Sequence, residues 1–349
     1  MKTIVIDGEL LSEPRMDGMH RFMIQVLSRV DSFLDDESLR EKLRLQIIYR
    51  KGKNLYGLKL RNIECVESDY KGKGYRYLGL PRYVKSVNGI YCSMSNDAVT
   101  CRDSIFTIMD MIPLSPLAKY PFKSLMRMKL TYFIISKYYR KVITISEVSK
   151  SDISKNLKIP KDRIKIVGTG WEHMNDIETD DSIFDKFPKL KKGEYYYGMG
   201  SQYPYKNFKW IIEVAKKNPD KVFCVAGKKT NIENNIDESP ENMIYTGYIE
   251  DGEHKSLIQN AKAFLHPSKL EGFGIPPLEA LSQGVPVIIA NASCLPEIYG
   301  DTAHYIDPDN FEVDLDSILG ESVRSPEDLL KKYSWDQVAK DWLNIWLED

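Results

Sequence analysis

The stretch from His266 to Gly284 limits what this chain can fold into more than any other. An apolar run, Ala263-Phe264-Leu265, has the composition of a buried strand. A loop containing Gly272 and Gly274 follows it. The loop leads into a helix whose first turn carries Pro276 and Pro277, where a missing N–H is harmless because that group would be unpaired anyway. Gly284 stands where the helix should stop. Strand, glycine loop and helix N-terminus in that order gather free N–H groups and the positive end of the helix dipole, a setting that favours phosphate or another anion. Two carboxylates flank the loop, Glu271 before it and Glu279 one turn into the helix.

The rest of the chain repeats the strand–helix alternation. Strand-like runs are expected at 3–6, 43–49, 63–67, 90–92, 105–109, 142–146 and 164–167, with helical runs at 18–33, 76–87, 122–139 and 147–157. Residues 171–192 are polar and acidic without a clear period and read as a linker. Beyond them come strands at 195–198, 222–226, 243–245, 263–265 and 287–289, helices at 208–217, 253–259, 277–282 and 293–299, and an amphipathic helix at 334–346. This alternation predicts parallel α/β domains, and 349 residues give room for two of them. No G-x-G-x-x-G follows the first strand and no Walker A motif occurs, which argues against a dinucleotide oxidoreductase or a P-loop enzyme.

Five scattered cysteines without a CxxC pair point to a reducing, cytosolic setting, with neither a disulfide frame nor a zinc site. His20, His173, His254, His266 and His304 lie too far apart in sequence to suggest a metal site. No apolar run approaches the roughly 20 residues that span a bilayer, and the N-terminus reads as a first strand rather than a signal peptide. The net charge of −1 hides an asymmetry: residues 1–170 hold 31 Lys and Arg against 18 Asp and Glu, and residues 171–349 hold 18 against 32. A basic first half suits an anionic partner such as a membrane surface or a phosphorylated acceptor; alternatively, the two halves attract each other.

Several segments, taken in order, resemble the retaining nucleotide-sugar glycosyltransferases of family four (GT4). The family's E-x7-E motif is matched by Glu271-Gly272-Phe273-Gly274-Ile275-Pro276-Pro277-Leu278-Glu279, followed by Gly284-Val285-Pro286-Val287-Ile288 and by Leu295-Pro296-Glu297. Gly200-Ser201-Gln202-Tyr203-Pro204-Tyr205-Lys206-Asn207 is similar to the family's G-S-L-E-P-R-K-N loop, and Tyr245-Thr246-Gly247-Tyr248 to its F-T-G-Y turn. Val142-Ile143-Thr144-Ile145-Ser146 looks like its interdomain strand, and Asp17-Gly18-Met19-His20-Arg21-Phe22 like its G-I-G-R-Y loop. The resemblance implies a GT-B fold: two Rossmann-like parallel-sheet domains facing across a cleft, with a C-terminal helix crossing back to the N-terminal domain. The implied boundaries are an acceptor-binding domain at 1–170, a linker at 171–192, a nucleotide-sugar domain at 193–330 and a returning helix at 331–349.

The same resemblance implies roles for particular residues. Glu279 would bind the ribose hydroxyls, and Glu271 the donor sugar. The loop residues Gly272, Phe273, Gly274 and Ile275 would meet sugar and phosphate through backbone N–H groups. Lys206 would neutralise the departing diphosphate, so Glu271 and Lys206 carry the catalysis. Ser201, Gly18, Met19, Met109 and Asp110 would complete the donor site, and His20 and Arg21 would face the acceptor. The reaction implied is transfer of a hexosyl unit, mannosyl or a 6-deoxyhexosyl such as rhamnosyl or fucosyl, from a nucleoside diphosphate sugar to a glycan or lipid-linked acceptor, with no metal.

The departures from the family pattern are specific. Tyr205 replaces an Arg, His20 replaces the second glycine of G-I-G-R-Y, and Met109 opens Met109-Asp110-Met111-Ile112-Pro113-Leu114 where the family has His. A thioether packs on apolar groups and donates no hydrogen bond, hence the expectation of a donor lacking a C6 hydroxyl. Paired glutamates also suit a glycoside hydrolase, and the departures suit a catalytically weak binding subunit. Residues 119–141 carry seven basic and no acidic residues interleaved with aromatic and aliphatic ones, a pattern for docking on an anionic membrane. Nucleic acid is not expected.

Overall fold

The computed structural model describes residues 1–14, 17–70, 74–200, 203–227 and 239–348. The chain forms two compact units. The first comprises Met1–Met111, Tyr120–Thr169 and Trp335–Asp349; the second comprises Ile112–Lys119 and Gly170–Ser334.

The first unit is built on seven strands: β1 (Lys2–Asp7), β2 (Leu43–Arg50), β3 (Glu64–Ser68), β4 (Ile90–Ser93), β5 (Ser104–Thr107), β6 (Tyr139–Thr144) and β7 (Ile164–Ile166). They pair in parallel in the order β3-β2-β1-β4-β5-β6-β7. Parallel strands need crossovers that cover both faces of the sheet, so the central strands are apolar on both sides. Ile4, Val5 and Ile6 are fully buried although they are consecutive. All seven strands stand where the alternation places them, within three residues at their ends.

The second unit is a six-stranded parallel sheet: β8 (Tyr195–Met199), β9 (Val222–Ala226), β10 (Met243–Gly247), β11 (Ala263–His266), β12 (Val287–Ala290) and β13 (His304–Ile306). Its order is β10-β9-β8-β11-β12-β13. The edge strand β13 is not expected from the sequence, because three residues beginning with His make no apolar run. Its register on β12 gives it away: Ile288 opposes His304 and Ala290 opposes Ile306. Within 171–192 two short helices form, His173–Asp176 and Ser182–Lys186, and the segment belongs to the second unit. It is anchored there by buried Met174 and Ile183 and by the Ser256 hydroxyl bonding Asp181.

The last helix, Trp335–Leu347, returns to the first unit. Its spacing of Trp335, Val338, Ala339, Trp342, Ile345 and Trp346 makes one buried apolar face. That face packs on the Gly18–Phe33 helix, where Phe22 meets Trp335 edge-on at 5.9 Å and Trp342 at 6.5 Å. Arg29 Nε closes the edge on Asp336 Oδ1 at 2.7 Å. Trp342 is fully buried, so Trp342→Ala should lower the first unit's stability by about 3–5 kcal/mol. Denaturant unfolding combined with hydrogen exchange checks this, with the loss confined to the first unit.

Candidate functional site

The loop after β11 is held in shape by its neighbours. Gly274 adopts φ +89, and a Cβ there would come within 2.7 Å of Leu295 Cδ2, so glycine is required on both counts. The helix Ile275–Ser282 starts directly after it with both prolines in the first turn, and Gly284 follows with φ +77. Ser293 clamps the start of the loop, accepting from Glu271 N at 3.2 Å and donating to Glu271 O at 2.9 Å. Tyr299 donates to Gly274 O, and the buried Phe273 ring meets Tyr333 edge-on at 5.0 Å. These tethers commit the side chains to packing and leave a short backbone segment ahead of a helix N-terminus.

Glu271 is buried and takes both hydrogen bonds that Lys206 Nζ offers, at 2.7 and 2.9 Å. His266 Nε2 lies 2.8 Å from Oε1 but off the line of a hydrogen bond, so its influence is that of a nearby dipole or charge. Burial pushes the Glu271 carboxyl up, but Lys206 and His266 outweigh it and hold it well below the usual carboxylate range. Lys206 ends a single helical turn, Pro204–Lys206. Asn207 follows in left-handed backbone and ties that turn to Pro267 O at 3.1 Å and Pro308 O at 2.8 Å. Tyr205, where the resemblance has Arg, is buried; it stacks on Tyr203 at 5.6 Å with the Lys206 ammonium 5.7 Å from its ring. At this position the chain has exchanged a cation for an aromatic platform beneath the remaining cation.

Glu279 has an unforeseen surrounding. His173 Nε2 lies 2.8 Å from Oε1 and His254 Nε2 3.4 Å from Oε2. The Tyr197 hydroxyl sits 2.8 Å from His254 Nδ1, so a Tyr–His–Glu–His chain runs through the interior, each member at most 5% exposed. Burial raises the Glu279 carboxyl, and the bonds and charges of the two histidines more than reverse it, keeping it ionised. No local pattern of residues marks this cradle. His173 lies 106 residues from Glu279 and His254 lies 25, and only the sheet topology brings them together. Among the described residues no group of His, Cys, Asp and Glu has the arrangement of a metal site.

The other expected site residues lie in the first unit. Asp17 caps the Gly18–Phe33 helix by accepting from Met19 N and His20 N, each at 3.1 Å. His20 is buried with Nδ1 2.8 Å from the same carboxylate oxygen, and its Nε2 has no hydrogen-bond partner. Arg21 N closes the first turn on Asp17 O. A Cβ on Gly18 would meet nothing within 4 Å, so packing does not demand glycine there. Met109, buried just beyond β5, gives its N–H to Asn96 Oδ1 at 3.1 Å and its carbonyl to Thr144 Oγ1 at 3.1 Å, with Asp110 next to it. Ser201 falls outside the described residues. Lys206, Glu271, the glycine loop and Glu279 thus belong to the second unit, and Gly18, Met19, His20, Arg21, Met109 and Asp110 to the first.

Residues 179–319, which contain this loop and both glutamates, match the family described as Glycosyl transferases group 1. Over that segment the chain is similar to the GT4 glycosyltransferases. It is 29% identical over 214 residues to the O-antigen chain mannosyltransferase B of Escherichia coli, a match covering 57% of this chain and 53% of that protein. The match therefore spans about half the length of that relative. Among solved structures, the sucrose-phosphate synthase of Thermosynechococcus elongatus superposes over 99% of this chain and 98% of its own with a TM-score of 0.69 at 11% identity. The Anabaena HepE protein in complex with UDP-glucose does so over 100% and 96% with a TM-score of 0.60 at 13% identity. These likenesses establish the GT-B fold.

Two measurements follow from the buried carboxylates. Both have folded pKa values below the ordinary 4.5, so the stability they contribute is present above pH 4.5 and is lost as pH falls below it. Acid unfolding of the second unit should therefore begin below that pH, and Glu279→Gln should flatten the acid limb. His254→Asn removes the N–H from the Nε2 position and should cost about 1–3 kcal/mol, whereas His254→Gln keeps an N–H near it and should cost less. Denaturant midpoints of the two variants check the difference.

Proposed function

We propose that the chain is a retaining glycosyltransferase that moves a hexosyl unit, mannosyl first, from a nucleoside diphosphate sugar to a hydroxyl of a glycan or lipid-linked acceptor in surface polysaccharide biosynthesis. The observation that carries this reading is the buried Lys206–Glu271 pair beside a glycine loop and a helix N-terminus. It is supported by the family, by the relative that is an O-antigen mannosyltransferase and by a neighbour of the same fold that holds UDP-glucose. In this reading the second unit takes the donor and the first the acceptor.

The chemistry follows from where charge develops. The bond from the sugar C1 to the leaving phosphate oxygen breaks, and the acceptor oxygen bonds to C1 from the same face. The acceptor proton passes to the leaving phosphate. The transition state gathers negative charge on that phosphate, and a preorganised cation and backbone N–H groups stabilise it. Lys206 supplies the cation. While the donor is absent Glu271 holds Lys206 in place; a bound diphosphate then shares the ammonium, and Glu271 receives hydroxyls of the donor sugar. Glu279, kept ionised by its two imidazoles, takes the ribose hydroxyls. Lys206 and the helix N-terminus carry the leaving-group charge, so no divalent metal is needed. Met109 bears on the donor's C6 position, and Met109→His should improve use of a 6-hydroxyl donor relative to a 6-deoxy one.

The enzyme works at the cytoplasmic face of a membrane. Among the described residues no helix is long and apolar enough to cross one. Instead, Phe122, Met126, Leu130 and Phe133 are exposed along one stripe of the Phe122–Tyr138 helix, flanked by Lys123, Lys129 and Lys137. Such a helix lies in a membrane interface with its rings in the acyl boundary and its lysines on anionic headgroups.

Three outcomes test the proposal. Nucleoside diphosphates should raise the thermal midpoint, and a ligand at 100 times its Kd adds about 2.7 kcal/mol; no shift with UDP, GDP or dTDP sinks the reading. Lys206→Ala should lower kcat about 100- to 1,000-fold, while chelation of divalent ions leaves the rate unchanged. Phe122→Glu with Phe133→Glu should abolish sedimentation with anionic vesicles, and equal sedimentation of the variant and the native chain removes the membrane assignment.

A further inference from the structure

Four elements of the second unit send a polar side chain to one buried point. Tyr197 comes from β8, His254 from the helix Asp251–Gln259, His173 from the short helix His173–Asp176 and Glu279 from the helix Ile275–Ser282. All four are almost completely buried. The two imidazoles take different carboxylate oxygens, His173 Nε2 at Oε1 and His254 Nε2 at Oε2. The terminal torsion of a glutamate is otherwise broad, and a contact at each oxygen removes that freedom. The carboxylate is fixed in tilt as well as in position.

His254 is itself held. Its backbone N–H bonds Glu250 O at 2.9 Å, next to the reciprocal capping box of Glu250 and Glu253. The Tyr197 ring lies 5.7 Å from the imidazole, and Phe264 meets Tyr197 edge-on at 5.6 Å. Burial lifts the Tyr197 hydroxyl well above its ordinary range, so it keeps its proton. An ionised carboxylate only accepts. The proton order that satisfies every member has the Tyr197 hydroxyl donating to His254 Nδ1 and His254 Nε2–H donating to Glu279. A hydroxyl on Nδ1 selects the tautomer whose proton sits on the nitrogen facing the carboxylate. Stability alone does not call for this chain, because well-packed apolar residues often replace a buried ionic group without loss. It is accounted for by what the carboxylate receives.

We propose that His173, His254 and Tyr197 are positioning residues that hold the Glu279 carboxylate in one orientation, and that this orientation makes the site select ribose over 2′-deoxyribose in the donor nucleotide. The inference rests on the donor reading, in which Glu279 takes the ribose hydroxyls. A carboxylate free to turn could follow the one ring hydroxyl that 2′-deoxyribose keeps. A carboxylate pinned at both oxygens cannot, and the missing hydrogen bond is lost in full. Sites built to bond a hydroxyl reject the analogue without it for this reason. The donor class is therefore a ribonucleoside diphosphate sugar, with dTDP sugars disfavoured.

Calorimetric titration of the full chain with UDP and GDP, each beside its 2′-deoxy form, tests it. The better-bound ribonucleotide should exceed its 2′-deoxy form about 10- to 100-fold in affinity. Tyr197→Phe keeps the ring and removes the hydroxyl. It should lower ribonucleotide affinity, leave 2′-deoxy affinity unchanged and so narrow the ratio. His173→Phe should narrow it further, and His173→Gln, which restores an N–H near the same place, should recover part of it. A purely structural role would move both affinities together, and thermal midpoints show which variants are folded. Equal affinity for the two forms in the native chain overturns the inference, while the binding itself upholds the donor reading. An unchanged ratio in folded Tyr197→Phe and His173→Phe overturns it as well. Binding of no nucleoside diphosphate sinks the donor reading and this inference together.

Discussion

Parallel pairing is the constraint from which the rest of this structure follows. A parallel strand can be reached only by a crossover, and the crossovers cover both faces of each sheet. Side chains on both faces are then buried, and polar groups are driven to the ends of the strands. Three charged groups of the second unit sit in a loop or helix start beyond a carboxyl end: Lys206 after β8, Glu271 after β11 and Glu279 one turn later. Gly227 shows how tight that edge is. It follows β9, and a Cβ there would fall 2.0 Å from Gly200 O, beyond β8. Two strand ends can approach so closely only because neither residue carries a side chain.

What the sequence disclosed depended on whether the signal was local. The central strands of the first unit, β1 and β2 among them, are rich in Ile, Val and Leu between turns, and they are legible because burial on two faces needs continuous apolarity. The glycine loop is legible because proline, glycine and carboxylate have fixed places around a helix start. β13 escaped because an edge strand of three residues needs little apolarity. The imidazoles on Glu279 escaped for a different reason. Nothing in Glu172-His173-Met174 marks that histidine as interior, and it is placed by a segment whose acidic composition suggested a linker. Long-range polar pairing has no periodicity, so composition and spacing are silent about it.

The two buried glutamates solve one electrostatic problem in different ways. A carboxylate removed from water must be compensated or it takes up a proton. Glu271 is compensated by a flexible, part-exposed ammonium, so its partner is exchangeable. Glu279 is compensated by imidazoles that are themselves buried, one of them fixed by Tyr197. Its partners cannot leave. The first arrangement suits a group whose surroundings change during a reaction, and the second suits one that must present the same acceptor lone pairs each time.

The charge asymmetry of the chain can be located in the same way. The first unit's excess of basic residues is absent from the ends of β1, β2 and β4, where guanidinium and carboxylate are matched, Arg50 with Glu9 and Arg76 with Asp97. It is concentrated in 119–141, which offers no acidic residue of its own. Matched charge cancels locally. Unmatched charge on an exposed helix reads net charge and ignores geometry.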